Sequence, residues 1–142
     1  MSTQQNTPLH SLIPAFSSRI KIGVGGCETF SGFRTPIVVQ KAWGFERHYE
    51  NNEYCMKWLH FRPNTYCSMH YHLDKHETML VVDGTLTIEY IVDKEKHSVT
   101  LDRGDAFTVS RGLAHRLVAG PEGADLIEAS TPDHPDDSIR IG

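Results

Sequence analysis

From Ile37 to Ala129 the chain reads as short runs of β-branched and aromatic residues broken by turn formers, with no stretch of helical period. The runs are Ile37–Gln40, Trp43–Tyr49, Tyr54–Phe61, Tyr66–Tyr71, His76–Val82, Thr85–Val92, Ser98–Leu101, Ala106–Ser110, His115–Val118 and Asp125–Ala129. Pro63-Asn64, Asp83-Gly84, Asp93-Lys94-Glu95-Lys96 and Arg103-Gly104-Asp105 punctuate them. Strands recurring roughly every eight to twelve residues predict an all-β sandwich or barrel. Asp83-Gly84, set between two apolar runs, predicts a two-residue hairpin, because such turns need positive φ. At 142 residues the chain fits one domain with a sizeable core. The expected organisation is an N-terminal arm over 1–36, a barrel over 37–131 and a tail over 132–142 that runs over the surface.

A net charge of −4 and no basic patch argue against a nucleic-acid binder. No apolar run approaches the roughly 18 residues of a membrane span, and no signal peptide is apparent. Cys27, Cys55 and Cys67 are odd in number and form no CxxC pair, so free thiols in the cytoplasm are expected. Residues 1–18 read as a flexible arm or as a segment that docks on a partner subunit. Gly23, Gly25 and Gly26 lack the spacing of a phosphate-binding loop and predict a strand with a glycine-rich turn.

The chemistry concentrates between Asn64 and Gly84. His70 and His72 are two apart, so on a strand both imidazoles leave one face, with Cα atoms roughly 6–7 Å apart. Glu77 follows after room for a tight turn. Two imidazoles and a carboxylate suit zinc, iron, manganese or nickel better than calcium or magnesium. Downstream, Gly104 and Gly112 bracket a strand, and Gly112 permits a turn that delivers His115 to the same cavity. His70, His72, Glu77 and His115 are therefore the expected metal ligands, with zinc the first choice.

These two stretches resemble the paired motifs of the cupin superfamily. His70-Tyr71-His72, Glu77 and Gly84 fit the first motif, with Asn64 where glycine is usual; asparagine is the non-glycine residue best suited to left-handed backbone. Gly104, Gly112 and His115 fit the second, with Ser110 in place of proline and Ala119 in place of asparagine. A closer likeness spans roughly residues 41–141. Lys41-Ala42-Trp43-Gly44-Phe45-Glu46, Tyr54-Cys55-Met56-Lys57, His115-Arg116-Leu117, Leu126-Ile127-Glu128 and Asp136-Asp137-Ser138-Ile139-Arg140 resemble segments of the mannose-6-phosphate isomerase cupin domain in order and spacing.

The resemblance implies a single-domain, jelly-roll-like cupin barrel with an N-terminal extension. It also implies a Lewis-acid metal, a sugar or sugar-phosphate substrate and an aldose–ketose isomerisation. Lys57, if it faces the cavity, could attract a phosphate or oxyanion, and Lys57, Glu128 or a metal-bound hydroxide are the candidates for proton transfer. A solvated Lys57 is the alternative. An iron- or nickel-dependent dioxygenase and a non-catalytic sugar-sensing module remain open as other functions. His76 should face away from the ligands, Arg116 should form a surface or interface ion pair, and Cys67 should pack as a small core residue. His10, His48, His60, His97 and His134 carry no ligand pattern and read as solvated or structural. A homodimer is expected, with Ile20–Val24 or Ile37–Val39 at the interface, because small barrels leave edge strands to cover.

Overall fold

The computed structural model describes residues 20–24 and 27–141, in two compact units that divide between Thr35 and Pro36. The arm expected over 1–18 lies outside the described residues. In the first unit β1 (Ile20–Val24) pairs antiparallel with β2 (Cys27–Ser31), Val24 opposite Cys27, as a strand with a glycine-rich turn requires.

The second unit is almost entirely strand: β3 (Ile37–Lys41), β4 (Gly44–Asn51), β5 (Cys55–Phe61), β6 (His70–Tyr71), β7 (Glu77–Val92), β8 (Glu95–Leu101), β9 (Ala106–Val109), β10 (Ala114–Ser130) and β11 (Ile139–Arg140). A short 3-10 helix, Pro135–Asp137, precedes β11. The nine strands form one antiparallel sheet in the order β11-β6-β10-β5-β4-β3, with β7 also paired to β10 and carrying β8 and β9. The sheet curls around its own apolar face, the all-β class the strand pattern predicts and the jelly-roll form the resemblance implies.

The curl comes from two long strands that change face midway. In β7 the buried positions are Glu77, Met79 and Val81 and then Leu86 and Ile88, so the inward parity switches from odd to even. In β10 they are His115, Leu117 and Ala119 and then Ala124, Leu126 and Glu128, the same switch. A one-residue slip inverts every side chain beyond it, so each strand needs an irregularity at the switch. The register between β7 and β10 shifts twice there, between Ala119 and Ala124 and again between Asp125 and Leu126, where Val82 of β7 is passed over.

This corrects the expected hairpin at Asp83-Gly84. Gly84 has φ +75°, and a β-carbon there would lie 2.1 Å from the Gly123 carbonyl oxygen. The dipeptide's tolerance of positive φ is used for a bulge against β10, and β7 continues through it. The actual turn between β7 and β8 is Asp93-Lys94, with φ of 50° and 66°, the double positive φ of a two-residue hairpin. His115–Val118 and Asp125–Ala129 merge into β10 in the same way.

Inside the curl, Phe61, Met79, Val81, Leu86, Ile88 and Leu126 have no exposed side-chain surface and form the core with Leu59, Val109 and Leu117. Trp43 stacks on Phe61 with ring centroids 3.9 Å apart. The alternation of β5 buries Cys55, Lys57, Leu59 and Phe61 and turns Met56, Trp58 and His60 outward, which resolves the orientation the sequence left open.

Candidate metal centre

At one end of the core, a cavity of about 530 Å³ runs from the apolar floor to a polar wall. His70 and His115 are direct register partners on β6 and β10, which puts their side chains on one face. His72 follows β6 outside regular strand, so strand alternation alone does not aim it. The Gly112 amide donates to the His72 carbonyl at 2.6 Å and ties that backbone down. Ring centroids are 4.4 Å apart for His70 and His115, 4.9 Å for His70 and His72, and 5.7 Å for His72 and His115. One ligand atom from each lies within 4.8 Å of the others.

Each Nδ1 meets a backbone carbonyl: His70 that of Ser68 at 2.7 Å, His72 that of Asp137 at 2.8 Å and His115 that of Leu113 at 2.9 Å. A carbonyl can only accept, so Nδ1 carries a proton on all three rings, and Nε2 is left to face the cavity, with a lone pair wherever the ring is neutral. This is how metal-binding histidines are oriented. Burial, reinforced by the neighbouring His115, pushes the His70 imidazole down to about 4, and burial also lowers His72. Both shifts favour the neutral, ligating form.

Glu77, itself buried, places Oε1 3.1 Å from His115 Nε2. Two electron-pair donors that close are stable only beside a cation, either a proton on Nε2 or a metal ion. The three-histidine set therefore fits a divalent transition metal, with the Glu77 carboxylate beside it. Burial raises the Glu77 carboxyl, but His115 and Lys75 outweigh it and hold the group well below the carboxylate range.

Glu77 opens onto a network of buried charges. The Lys75 ammonium, 4% exposed, stands 2.9 Å from Glu77 Oε2, 2.9 Å from Glu128 Oε2 and 3.6 Å from Asp133 Oδ1. The two Oε2 atoms are held by that charge rather than by an aligned hydrogen bond. Lys57 donates to Asp133 at 2.7 Å and lies 3.8 Å from Glu46. Burial would lower both lysines, yet the surrounding carboxylates, Glu128 first, raise them above the ordinary lysine value. Glu128 is raised instead, since burial is its largest influence and Lys75 only partly offsets it.

The expected residues thus converge. His70, His72 and His115 cluster, Glu77 joins through His115, and Lys57 and Glu128 line the same cavity. Asn64 takes the left-handed φ of 58° that its place in the motif requires. His76 is exposed, Arg116 donates to Glu89, and Cys67 packs against the core. His48 and His134, expected to be solvated or structural, line the cavity, with His48 2.7 Å from Glu46. The tail does not simply run over the surface. Asp133 enters the lysine network, and Asp137 is buried under the turn after His72. Lys75, in the turn before β7, and Asp133 had no local signal, and Asp137 lay within the tail segment that resembles the family with no role attached to it.

A family model described as Cupin matches residues 51–140, and the chain belongs to that family. Among solved structures, Bacillus subtilis oxalate decarboxylase at pH 4.6 superposes with a TM-score of 0.70 at 14% identity, over 77% of this chain and 31% of its own. The capsular polysaccharide assembling protein CapF of Staphylococcus aureus superposes with a TM-score of 0.68 at 15% identity, over 75% and 32%. At these identities the likeness is one of fold, and the chain spans about a third of either structure. No curated protein matches. No helix among the described residues is long and apolar enough to cross a membrane.

Proposed function

We propose that this cupin is a metal-dependent sugar or sugar-phosphate isomerase of the mannose-6-phosphate isomerase type. The observation that carries the reading is the convergence of three imidazoles and Glu77 beside a buried lysine–carboxylate wall. A divalent ion there, zinc in the first instance, would supply a Lewis acid to polarise a substrate carbonyl. The chain's own residues divide the remaining work. Lys57 is held protonated by its carboxylate partners, so it serves as a fixed positive charge for an oxyanion and not as a base. Glu128, a buried carboxyl raised above its ordinary range, is suited to take a proton from one carbon and return it to the next.

Charge supports an anionic substrate. Lys41, Lys57, Lys75 and Arg140 line the cavity and balance Glu46, Glu77, Glu128 and Asp133. A divalent ion then leaves two positive charges over, which a phosphate monoester neutralises. Trp43 and Phe61 supply an apolar floor for the carbon face of a sugar. The test is interconversion of mannose 6-phosphate and fructose 6-phosphate by protein loaded in turn with zinc, manganese, iron and nickel. Turnover abolished by Glu128→Gln, with metal retained, is the expected result. Oxygen uptake under iron with neither sugar phosphate turned over would redirect the reading to a dioxygenase. Sugar binding without turnover under any ion would redirect it to a sensor.

We also read the edge of β3, where Ile37 and Val38 are 70% and 53% exposed, as the contact of a cytoplasmic homodimer. Light scattering of Val38→Lys should then report a monomer.

A further inference from the structure

The C-terminal segment crosses beneath the metal centre, and one residue there touches two parts of it at once. The Asp137 side chain accepts from three consecutive amides: Leu73 at 2.8 Å and Asp74 at 3.1 Å through Oδ1, and Lys75 at 3.0 Å through Oδ2. Asp74 also reaches Oδ2, at 3.2 Å. The turn of residues 73–75 is therefore wrapped around one carboxylate, and hydrogen bonds to a charged acceptor are stronger than neutral ones. That turn separates His72 from Lys75 and Glu77. The Asp137 carbonyl accepts the His72 Nδ1 proton at 2.8 Å. These contacts join positions 62 to 65 residues apart, so they are made by the tertiary fold and not by local chain preference. Asp136, the adjacent carboxylate, is exposed.

We propose that Asp137 is a positioning residue of the metal centre: its side chain fixes the turn between His72 and Glu77, and its carbonyl fixes the His72 tautomer. This rests on the metal-site reading above. A charged capping group holds the turn in one shape, so the His72 imidazole and the Glu77 carboxylate reach the ion without first paying an ordering cost. Loss of the cap leaves all four ligands present but lets the segment carrying His72 adopt other geometries. Metal affinity should fall while global folding is mostly kept.

The experiment has a metal-free arm and a metal arm. In the wild-type protein without metal, long-range proton–nitrogen NMR of His72 is expected to show a protonated Nδ1 and a lone-pair Nε2; the opposite tautomer overturns the proposal. In the second arm, Co²⁺ affinity and visible spectrum are compared for wild type, Asp137→Asn, Asp137→Ala and Asp136→Asn. Asp137→Asn should weaken Co²⁺ binding about 10-fold and Asp137→Ala up to about 100-fold, with shifted absorption bands. Asp136→Asn, the same charge change one residue away, should match wild type. If Asp137→Ala fails to fold, the isosteric Asp137→Asn decides. Unaltered Co²⁺ affinity and bands in Asp137→Asn, even with a lower melting temperature, would assign a merely structural role and overturn the proposal. A wild-type protein that takes up no Co²⁺ removes the metal-site reading instead, and leaves the tautomer measurement to judge the positioning geometry.

Discussion

The three histidines and the lysine–carboxylate network line one cavity but are held by opposite means. Each imidazole is oriented by a backbone carbonyl, from Ser68, Asp137 or Leu113, and burial keeps His70 and His72 neutral. Lys57, Lys75, Glu77, Glu128 and Asp133 are oriented almost wholly by one another's charge. The histidine side depends on correct backbone geometry. The network depends on the number of charges, because removing one buried ion strands its partners.

The largest expected effect tests the histidine side. His72→Ala should lower metal affinity by more than the roughly 100-fold that follows loss of a supporting contact, measured by competition with a chromophoric chelator. Metal retained at wild-type affinity would end the assignment of this side as the ligand side.

Next in size is a strike at the network. Lys75→Met leaves Glu77 and Glu128 buried without their shared cation and should cost about 3–5 kcal/mol of stability at pH 7 in urea denaturation. The loss should shrink as pH falls, since a proton on Glu128, already raised by burial, removes one stranded charge. A loss under about 1 kcal/mol would show that the network is no more than a surface ion pair in its energetics.

Acid should separate the two sides further. His70 titrates near 4 in the fold against about 6.5 unfolded. The unfolded chain therefore takes up its proton first as pH falls. The penalty is absent above about pH 7, grows from about 6.5 to 4, and reaches about 2–3 kcal/mol in metal-free protein. Glu77, held low, adds to the loss only below its ordinary value of 4.5. His70→Gln should flatten the stability curve between pH 7 and 4.5; an unchanged slope would mean that His70 is not the group responsible.

The smallest contrast compares two glycines. Gly84→Ala meets the Gly123 carbonyl oxygen and should cost about 2 kcal/mol, whereas Gly112→Ala, at φ +81° with open space around it, should cost about 1 kcal/mol. Equal costs in thermal denaturation would mean that φ strain alone, and not the close approach of β7 to β10, makes Gly84 necessary.

The histidine side was largely legible. Residue type and the glycine frame before His115 are local properties, but His72 lies just past the end of β6, so strand alternation over the two-residue spacing does not aim it. Asn64 was legible too, because few residues adopt positive φ. The network was half legible. Lys57 and Glu128 were singled out, but Lys75, which joins Glu77 to Glu128, was not; the charge of a lysine gives no hint that it is buried, and burial follows only once three carboxylates surround it. The turn residues misled at Asp83-Gly84, where the same positive φ that closes a hairpin instead builds a bulge. A dipeptide states which backbone angles are available, and the facing strand decides how they are used.

By itself, then, the sequence determined the all-β class, the histidines of the candidate site and the alternation of β5. Those follow from side-chain type and period, which act over a few residues. Tertiary structure alone decided the parity switches in β7 and β10, the burial of Lys75 and the return of the tail to seat Asp133 and Asp137 at the site. Each depends on groups that meet across dozens of residues, where a charge or a carbonyl gains its role only from what the fold places beside it.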